Sequence, residues 1–216
     1  MKQEIGTFSI ADNNRPVPGC TISGVLMKQV TVFSLADGTD ISAESYPNPV
    51  LQVQLSGRSV LTHGVRSAEE ERIADGEAVL KQAGRDNGIV AETDSAYLEV
   101  ALKKEDHMNN LIKAGEVFKL KDLVPYQDGR VVNMDIVSGK SMKFVVMAFD
   151  EGTGLSEHAA PGDAIVFALD GHAVIGYEGK EYPIEAGQQF RFAKGGLHSV
   201  KADGKFKMAL LLALEE

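Results

Sequence analysis

Tryptophan is absent from the 216-residue chain, and cysteine occurs once, as Cys20. A single cysteine excludes a disulfide framework within the chain and is typical of proteins in a reducing compartment. Basic residues are also few: 22 lysines and arginines stand against 31 acidic residues, which gives a net charge of −9. Nucleic acids and anionic membranes bind positively charged surfaces, so this charge argues against both as partners.

Long apolar runs are lacking as well. The longest, MALLLAL at 208–214, has the length of a strand, whereas a membrane-spanning helix needs roughly 20 apolar residues. The first residues, MKQEIGTFSIADNN, contain no apolar core of the kind found in signal peptides. We therefore expect a cytoplasmic protein with no membrane partner.

The sequence does contain an internal duplication. Segments 30–57 and 142–171 both read as an apolar strand, an acidic residue with glycine, a stretch with serine and glutamate, a proline loop and a second apolar strand. Further matches follow in the same order, at an offset that drifts between about 109 and 114 residues. This repeat predicts two tandem domains, 1–104 and 115–216, joined by a linker at 105–114.

Short apolar segments broken by Gly, Pro and Asp predict antiparallel strands in each copy, arranged as a barrel or sandwich. YEGKEY predicts a hairpin centred on Glu178-Gly179. A Ser-x-x-Glu capping box predicts a helical turn near 67–72, and 103–115 is a second helix candidate. The repeat alignment pairs Phe33 with Val146, Gly38 with Gly152, Ser45 with His158 and Gly57 with Gly171.

The C-terminal half resembles the cupin superfamily in two stretches, GLSEHAAPGDAIVFALDG (154–171) and AGQQFRFAKGGLHSV (186–200). The N-terminal half resembles a degenerate copy, so the whole chain resembles a bicupin. The resemblance implies an all-β fold of two tandem antiparallel jelly-roll barrels with short helical turns, and a homodimer. It does not select an activity, because cupins include oxygenases, isomerases, decarboxylases, storage proteins and sugar-binding regulators.

Cupin metal sites use imidazoles and a carboxylate to hold one divalent transition metal, such as Fe, Mn, Ni, Cu or Zn. Two of the four ligand positions implied by the resemblance hold a histidine here. The positions, in order, are occupied by Ser156, His158, Ala164 in place of the glutamate, and His198. Asp163, next to a Pro-Gly break, is the candidate third ligand.

Three interpretations of His158 and His198 stay open: a weak metal site with Asp163, polar groups of a metal-free pocket, or solvated loop histidines. Ser156 joins the candidate ligand-binding residues, because strand residues two apart share a face. Phe190 and Phe192 alternate with Gln189 and Arg191, so one of these pairs lines the interior. If the polar pair does, Gln189 and Arg191 also belong to the site, and a polar or anionic ligand is favoured.

The leading hypothesis is a protein that binds a small molecule in its C-terminal barrel, with metal assistance left open. One alternative is a metal-dependent oxygenase or isomerase acting on a small polar metabolite, which stoichiometric metal would reveal. Another is a non-enzymatic sensor or structural dimer, which predicts an interior filled by side chains. The N-terminal barrel has no histidine at a motif position, so we expect it to be structural, and His63 has no partner at ligand spacing.

Overall fold

The computed structural model describes residues 6–63 and 70–214. A 3₁₀ turn at Leu120–Asp122 accompanies one short helix and the strands. In chain order the elements are β1 (Thr7–Phe8), α1 (Ile10–Asn13), β2 (Thr21–Met27), β3 (Val30–Leu35), β4 (Asp40–Ser45), β5 (Val50–Ser56), β6 (Arg58–Thr62), β7 (Glu70–Ala74), β8 (Glu77–Lys81), β9 (Asp86–Ala91), β10 (Ser95–Ala101), β11 (His107–Met108), β12 (Val117–Lys119), β13 (Val131–Ser138), β14 (Met142–Phe149), β15 (Gly154–Ala159), β16 (Asp163–Tyr177), β17 (Lys180–Glu185), β18 (Gln189–Phe192) and β19 (Leu197–Ala213).

The chain divides into two compact units, which we call the N-terminal and C-terminal barrels. The N-terminal barrel comprises residues 10–105 and 110–119, and the C-terminal barrel the remaining described residues. This division differs from the expected boundaries of 1–104, 105–114 and 115–216 at two short segments. The cause is strand pairing: β1 bonds to β18 of the C-terminal barrel, and β12 bonds to β8 of the N-terminal barrel.

Each barrel is built from antiparallel strands, as the sequence predicted. Among the described residues, the N-terminal barrel has a six-stranded sheet, β12-β8-β5-β10-β3-β2, and a four-stranded sheet, β4-β9-β6-β7. In the C-terminal barrel the strands run β1-β18-β16-β19-β14-β13-β11, with β15 on β19 and β17 on β16. The long strands β16 and β19 each take part in both faces of the C-terminal barrel. In the N-terminal barrel, separate strands take their places: β5 and β6 in place of β16, and β9 and β10 in place of β19. The fold is therefore all-β, with two jelly-roll barrels and short helical turns.

Alternating residues of the C-terminal strands meet in one apolar core. Val145 and Met147 of β14 face Leu210 and Met208 of β19 across the ladder, and all four pack in or against the same cluster. Strand residues two apart share a face, so alternate positions point inward. This alternation makes the inward or outward direction of each side chain readable from the strand register.

Glycines mark the same turns in both barrels. Gly38 and Gly152 have φ of 71° and 74°, and Gly57 and Gly171 have φ of 74° and 72°, each pair being 114 residues apart. Such left-handed backbone favours glycine, because any Cβ is crowded there. The agreement supports the duplication and the two glycine pairings of the repeat alignment.

The strand registers correct that alignment by one residue elsewhere. A bulge separates Ile41 from Glu44 in β4, and an equivalent bulge separates Leu155 from His158 in β15. Glu44, and not Ser45, therefore occupies the position of His158. By the same register, Phe33 corresponds to Met147 and not to Val146.

The predicted hairpin is present, and the described residues of the two helix candidates form no helix. Tyr177 pairs with Lys180, and Glu178 and Gly179 both have positive φ, as a type I′ turn requires. Within the helix candidate 103–115, His107–Met108 instead forms β11 and pairs with β13. A short isolated helix is only marginally stable, whereas pairing with β13 gives the backbone of β11 hydrogen-bond partners. Of the expected turn at 67–72, residues 67–69 lie outside the described residues, and the rest begins strand β7. Nowhere in residues 6–63 and 70–214 is there a helix long and apolar enough to span a membrane.

Candidate functional site

The histidine pair lies on one antiparallel ladder of the C-terminal barrel. His158 of β15 is the direct cross-strand partner of His198 of β19, and their ring centroids are 4.2 Å apart. Leu155 pairs with Val200, a core residue, on the same ladder. Because Val200 and His198 are two residues apart, Leu155 and His158 share the inner face. The bulge between them makes this three-residue spacing consistent with one face.

Each imidazole is oriented by a backbone carbonyl. Nδ1 of His158 donates to the carbonyl oxygen of Ser156 at 2.8 Å, and Nδ1 of His198 donates to that of Gly196 at 3.2 Å. In a neutral ring this leaves Nε2 as the acceptor. Ser156 thus contributes its carbonyl to the pair, a role that its sequence position did not indicate.

His198 is the buried member, and His158 is exposed. The His198 ring stacks on Phe192 with centroids 4.1 Å apart. Burial lowers the pKa of His198 below its ordinary value of 6.5; the Gly196 carbonyl opposes this shift, and the neighbouring His158 adds to it. His198 is therefore a neutral imidazole near pH 7 with an acceptor nitrogen held in a defined place.

The other predicted site residues have different neighbours. Phe190 and Phe192 belong to the core, so Gln189 and Arg191 project from the opposite face of β18, and the inward orientation considered for them is wrong. Asp163 accepts a hydrogen bond from the Lys194 amide at 3.0 Å and lies 3.7 Å from the Arg191 guanidinium. Asp163, at the start of β16, therefore already has Lys194 and Arg191 as partners.

The donor set does not fit the metal that the resemblance implies. In the part of the chain that the structure describes, no group of three or more His, Cys, Asp or Glu side chains is placed to hold a metal ion. The position expected for a glutamate is Ala164, which is buried in the apolar core. Two imidazoles alone bind a divalent metal weakly, so we derive no chemical step through a metal.

A cavity of about 580 Å³ opens into the C-terminal barrel. Its polar end is formed by two amides and by an ion pair, Lys143 Nζ to Asp135 Oδ1 at 3.2 Å. Its other walls are apolar and include Leu155, from the strand that carries His158. The lining residues are Asn109, Asn133, Met134, Asp135, Lys143, Val145, Met147, Leu155, Leu210 and Leu212. Asn133 and Asp135, two apart in the strand VVNMDIVS, were the sequence signal that could have identified this wall.

Comparison with known proteins identifies the fold. Residues 145–214 match the family model described as Cupin domain. Over 99% of both chains, the protein is similar to the solved structure of a Cupin 2 conserved barrel domain protein from Leptotrichia buccalis, with 23% identity and a TM-score of 0.84. No curated protein matches the sequence.

Two solved enzyme structures share the two-barrel architecture at lower similarity. A salicylate 1,2-dioxygenase variant from Pseudoaminobacter salicylatoxidans has 10% identity and a TM-score of 0.62, over 89% of this chain and 75% of that chain. A formate complex of oxalate decarboxylase from Lactobacillus farciminis has 12% identity and a TM-score of 0.57, over 98% and 86%. At these identities the likeness establishes the fold alone.

Proposed function

Because the chain has the cupin fold and residues 145–214 match the cupin domain, we propose that it binds a small molecule in its C-terminal barrel, without a resident metal. The observation that carries this proposal is the cavity of about 580 Å³, whose wall includes Leu155 of the strand that carries His158. Small-molecule sites usually measure about 300–1,000 Å³ and combine apolar walls with a few polar groups. The alternative of a purely structural barrel predicted an interior filled by side chains, and the cavity counts against it.

The lining favours a ligand with an apolar body and a polar head. Val145, Met147 and Leu212 form apolar wall, and Lys143 with Asp135 supplies charge at the polar end. Two enzymes with this fold are named for salicylate and oxalate, which are small organic acids. Lys143 offers a cation to a carboxylate, so aromatic and aliphatic acids are the first compounds to test.

The histidine pair lies on the same ladder as Leu155 of the cavity wall and would supply hydrogen bonding to a ligand that extends toward it. His158 lies three residues after Leu155 on β15, opposite His198 on β19, and both face inward with Leu155. With Nδ1 of each ring bonded to a carbonyl, Nε2 is the atom that meets a ligand donor. Ser156 acts here through its carbonyl, and Gln189 and Arg191 are outside this site.

A second candidate function is proton transfer by this pair on a bound ligand. The observation that favours it is His198, which burial keeps neutral and Gly196 holds in one orientation. A neutral, oriented imidazole is the usual general base near neutral pH. Such an isomerase would act without the metal that the sequence resemblance implied.

Filling the cavity tests the binding proposal. The chain has no tryptophan, so Leu155→Trp introduces a single indole into the cavity wall, and Leu197→Trp introduces one at an exposed position of β19 as the matched control. Native mass spectrometry with a panel of small organic acids, salicylate among them, measures binding. We expect the Leu155→Trp variant to lose at least tenfold in affinity and the Leu197→Trp variant to bind like the wild type.

The same spectra report bound metal. Binding that survives Leu155→Trp would place the ligand elsewhere and refute the cavity assignment. Near-stoichiometric metal that is lost in a His158→Ala/His198→Ala variant would refute the metal-free part of the proposal and restore the metalloenzyme alternative.

A further inference from the structure

The two barrels have interiors of opposite chemistry at matching positions. Strand registers align β5 with β16, β8 with β18, and β10 with the end of β19. Where the C-terminal barrel has aromatic and aliphatic residues, the N-terminal barrel has polar or charged ones. The matched positions are Gln52 with Val166, Gln54 with Ala168, Lys81 with Phe192, Glu99 with Leu210 and His63 with Tyr177.

These polar side chains point into the N-terminal barrel. Val79 of one sheet packs against Leu61 and Ile73 of the other, so Val79 faces the space between the sheets. Gln52 is the cross-strand partner of both Val79 and Glu99, and Lys81 lies two residues after Val79. Partners across a ladder and residues two apart share a face, so Gln52, Glu99 and Lys81 all face inward.

One charged pair is fully enclosed there. Lys81 Nζ lies 2.5 Å from Glu99 Oε1, and the two side chains are only 3% and 10% exposed. The Lys81 ammonium is 5.9 Å from the centroid of the Tyr97 ring, and the Tyr46 hydroxyl is 3.5 Å from Glu99. Burial, followed by the charges of Glu99 and Glu44, raises the pKa of Tyr46 to about 12. The interior of this barrel is therefore polar.

Three buried amides of the same barrel have hydrogen-bonding atoms without a protein partner in the part of the chain that the structure describes, and we call Gln52, Gln54 and Asn87 the interior amide set. Within the described residues, neither end of the Gln52 amide has a hydrogen-bond partner, and the same holds for Gln54 Oε1 and Asn87 Oδ1. All three residues are at most 4% exposed. Buried polar atoms are almost always paired in folded proteins, so bound water or a ligand must supply the missing bonds of this set.

A histidine–glutamate pair adds to the same interior. His63, which the sequence offered no reason to select, is buried and bonds through Nε2 to Glu71, at the positions that Tyr177 and Tyr182 hold in the other barrel. Its Nδ1 has no partner in the residues that the structure covers. This nitrogen and the interior amide set belong to one inward-facing polar lining.

We propose that the N-terminal barrel is a second binding site, which takes a small uncharged molecule with several hydroxyl groups, such as a polyol or a monosaccharide. The interior amide set offers three acceptor oxygens and the Gln52 amide nitrogen as donor. A hydroxyl group both donates and accepts, so several of them satisfy this mixture. A charged group would lose its hydration in this enclosed interior, and an anion would also face the Glu71 and Glu99 carboxylates.

This site is independent of the site proposed for the C-terminal barrel. It lies in the other compact unit and uses the polar residues that replace an aromatic interior. It also changes the expectation that the N-terminal barrel is only structural. The two binding proposals can therefore fail independently: a ligand that binds in one barrel says nothing about binding in the other.

Side-chain amide signals in NMR spectra provide the test. Xylitol and D-xylose are titrated into the full chain, with xylonate as the anionic and 1-amino-1-deoxyxylitol as the cationic probe of similar size. We expect the neutral probes to shift the side-chain amide signals of Gln52, Gln54 and Asn87, and the charged probes to bind at least tenfold more weakly. No shift at the interior amide set with either neutral probe at 50 mM, or preferred binding of a charged probe, would overturn the proposal.

Matched variants complete the experiment. Gln52→Met keeps the length of the side chain and removes its hydrogen bonds, and Gln127→Met makes the same change at an exposed position of the C-terminal barrel. Xylitol affinity should fall at least tenfold in the first variant and stay unchanged in the second. The proposal is also overturned if Gln52→Met binds xylitol like the wild type, and the wild-type titration decides alone if that variant does not fold.

Discussion

The enclosed Lys81–Glu99 pair makes the N-terminal barrel sensitive to the loss of either partner. The side chains are 3% and 10% exposed, so water screens their attraction very little. Lys81→Met leaves the Glu99 carboxylate buried, and among the described side chains the Tyr46 hydroxyl, 3.5 Å away, is its remaining hydrogen-bond partner. Removing one member of a buried ion pair costs about 3–5 kcal/mol.

Replacing both members should restore most of that loss. The C-terminal barrel holds Phe192 and Leu210 at the positions of Lys81 and Glu99, so an apolar pair is compatible with this fold. Buried ion pairs exchanged for apolar residues of similar volume are often neutral or stabilising. We therefore expect Lys81→Met/Glu99→Leu to lie within about 1 kcal/mol of the wild type, although each single change is costly.

Hydrogen exchange measured by mass spectrometry on peptides from β10 is the suitable assay, because two barrels need not unfold in one transition. A loss of about 3 kcal/mol speeds exchange through global unfolding by roughly two orders of magnitude. The single variants should show this acceleration and the double variant should not. Single-variant effects below about 1 kcal/mol that simply add would show that the pair is hydrated, and would refute the reasoning.

Three other features give predictions that follow from local geometry. A Cβ at Gly57 would overlap the Asp94 carbonyl, so Gly57→Ala should cost about 3 kcal/mol, whereas Gly76→Ala, with φ of 73° and open space, should cost about 1 kcal/mol; equal costs in urea unfolding would contradict this. Since burial lowers the pKa of His198, the unfolded chain is protonated first, and the folded protein should lose stability as the pH falls below about 6.5 until the folded-state pKa is passed; His198→Asn should flatten that slope, and an unchanged slope counts against it. Val25 is 82% exposed on the edge strand β2, so we expect light scattering to give twice 23.2 kDa for the wild type and a single chain for Val25→Lys; a single-chain mass for the wild type at micromolar concentration would rule out the homodimer.

The fold was predictable because its signals are local in sequence. Glycines with positive φ, such as Gly38 and Gly152, repeat at a fixed offset, and the Glu178-Gly179 turn has a specific dipeptide requirement. The resemblance of 154–171 to one motif then fixed the barrel type. None of these inferences needed a distance between remote residues.

The site was only partly predictable because it depends on register and on which face of a strand is inside. A bulge places His158 with Leu155 on one face, which the two-residue rule applied to Ser156 and His158 did not anticipate. In VLQVQLS the alternation of Gln52 and Gln54 with apolar residues suggests a solvent-facing polar side, yet both faces of β5 are buried. Sequence alternation identifies two faces without deciding which of them is the interior.

The pairing of β1 with β18 has a consequence for synthesis on the ribosome. Thr7 bonds to the strand of Phe190, so the first strand of the described residues belongs to the barrel whose other strands are synthesised later. At about 5–20 residues per second, β1 emerges roughly 10–40 s before its partner exists. A strand of two residues offers little unpaired backbone to neighbouring nascent chains during that delay. The N-terminal barrel likewise waits for β12, so translation must pass residue 119 before either barrel has all its strands.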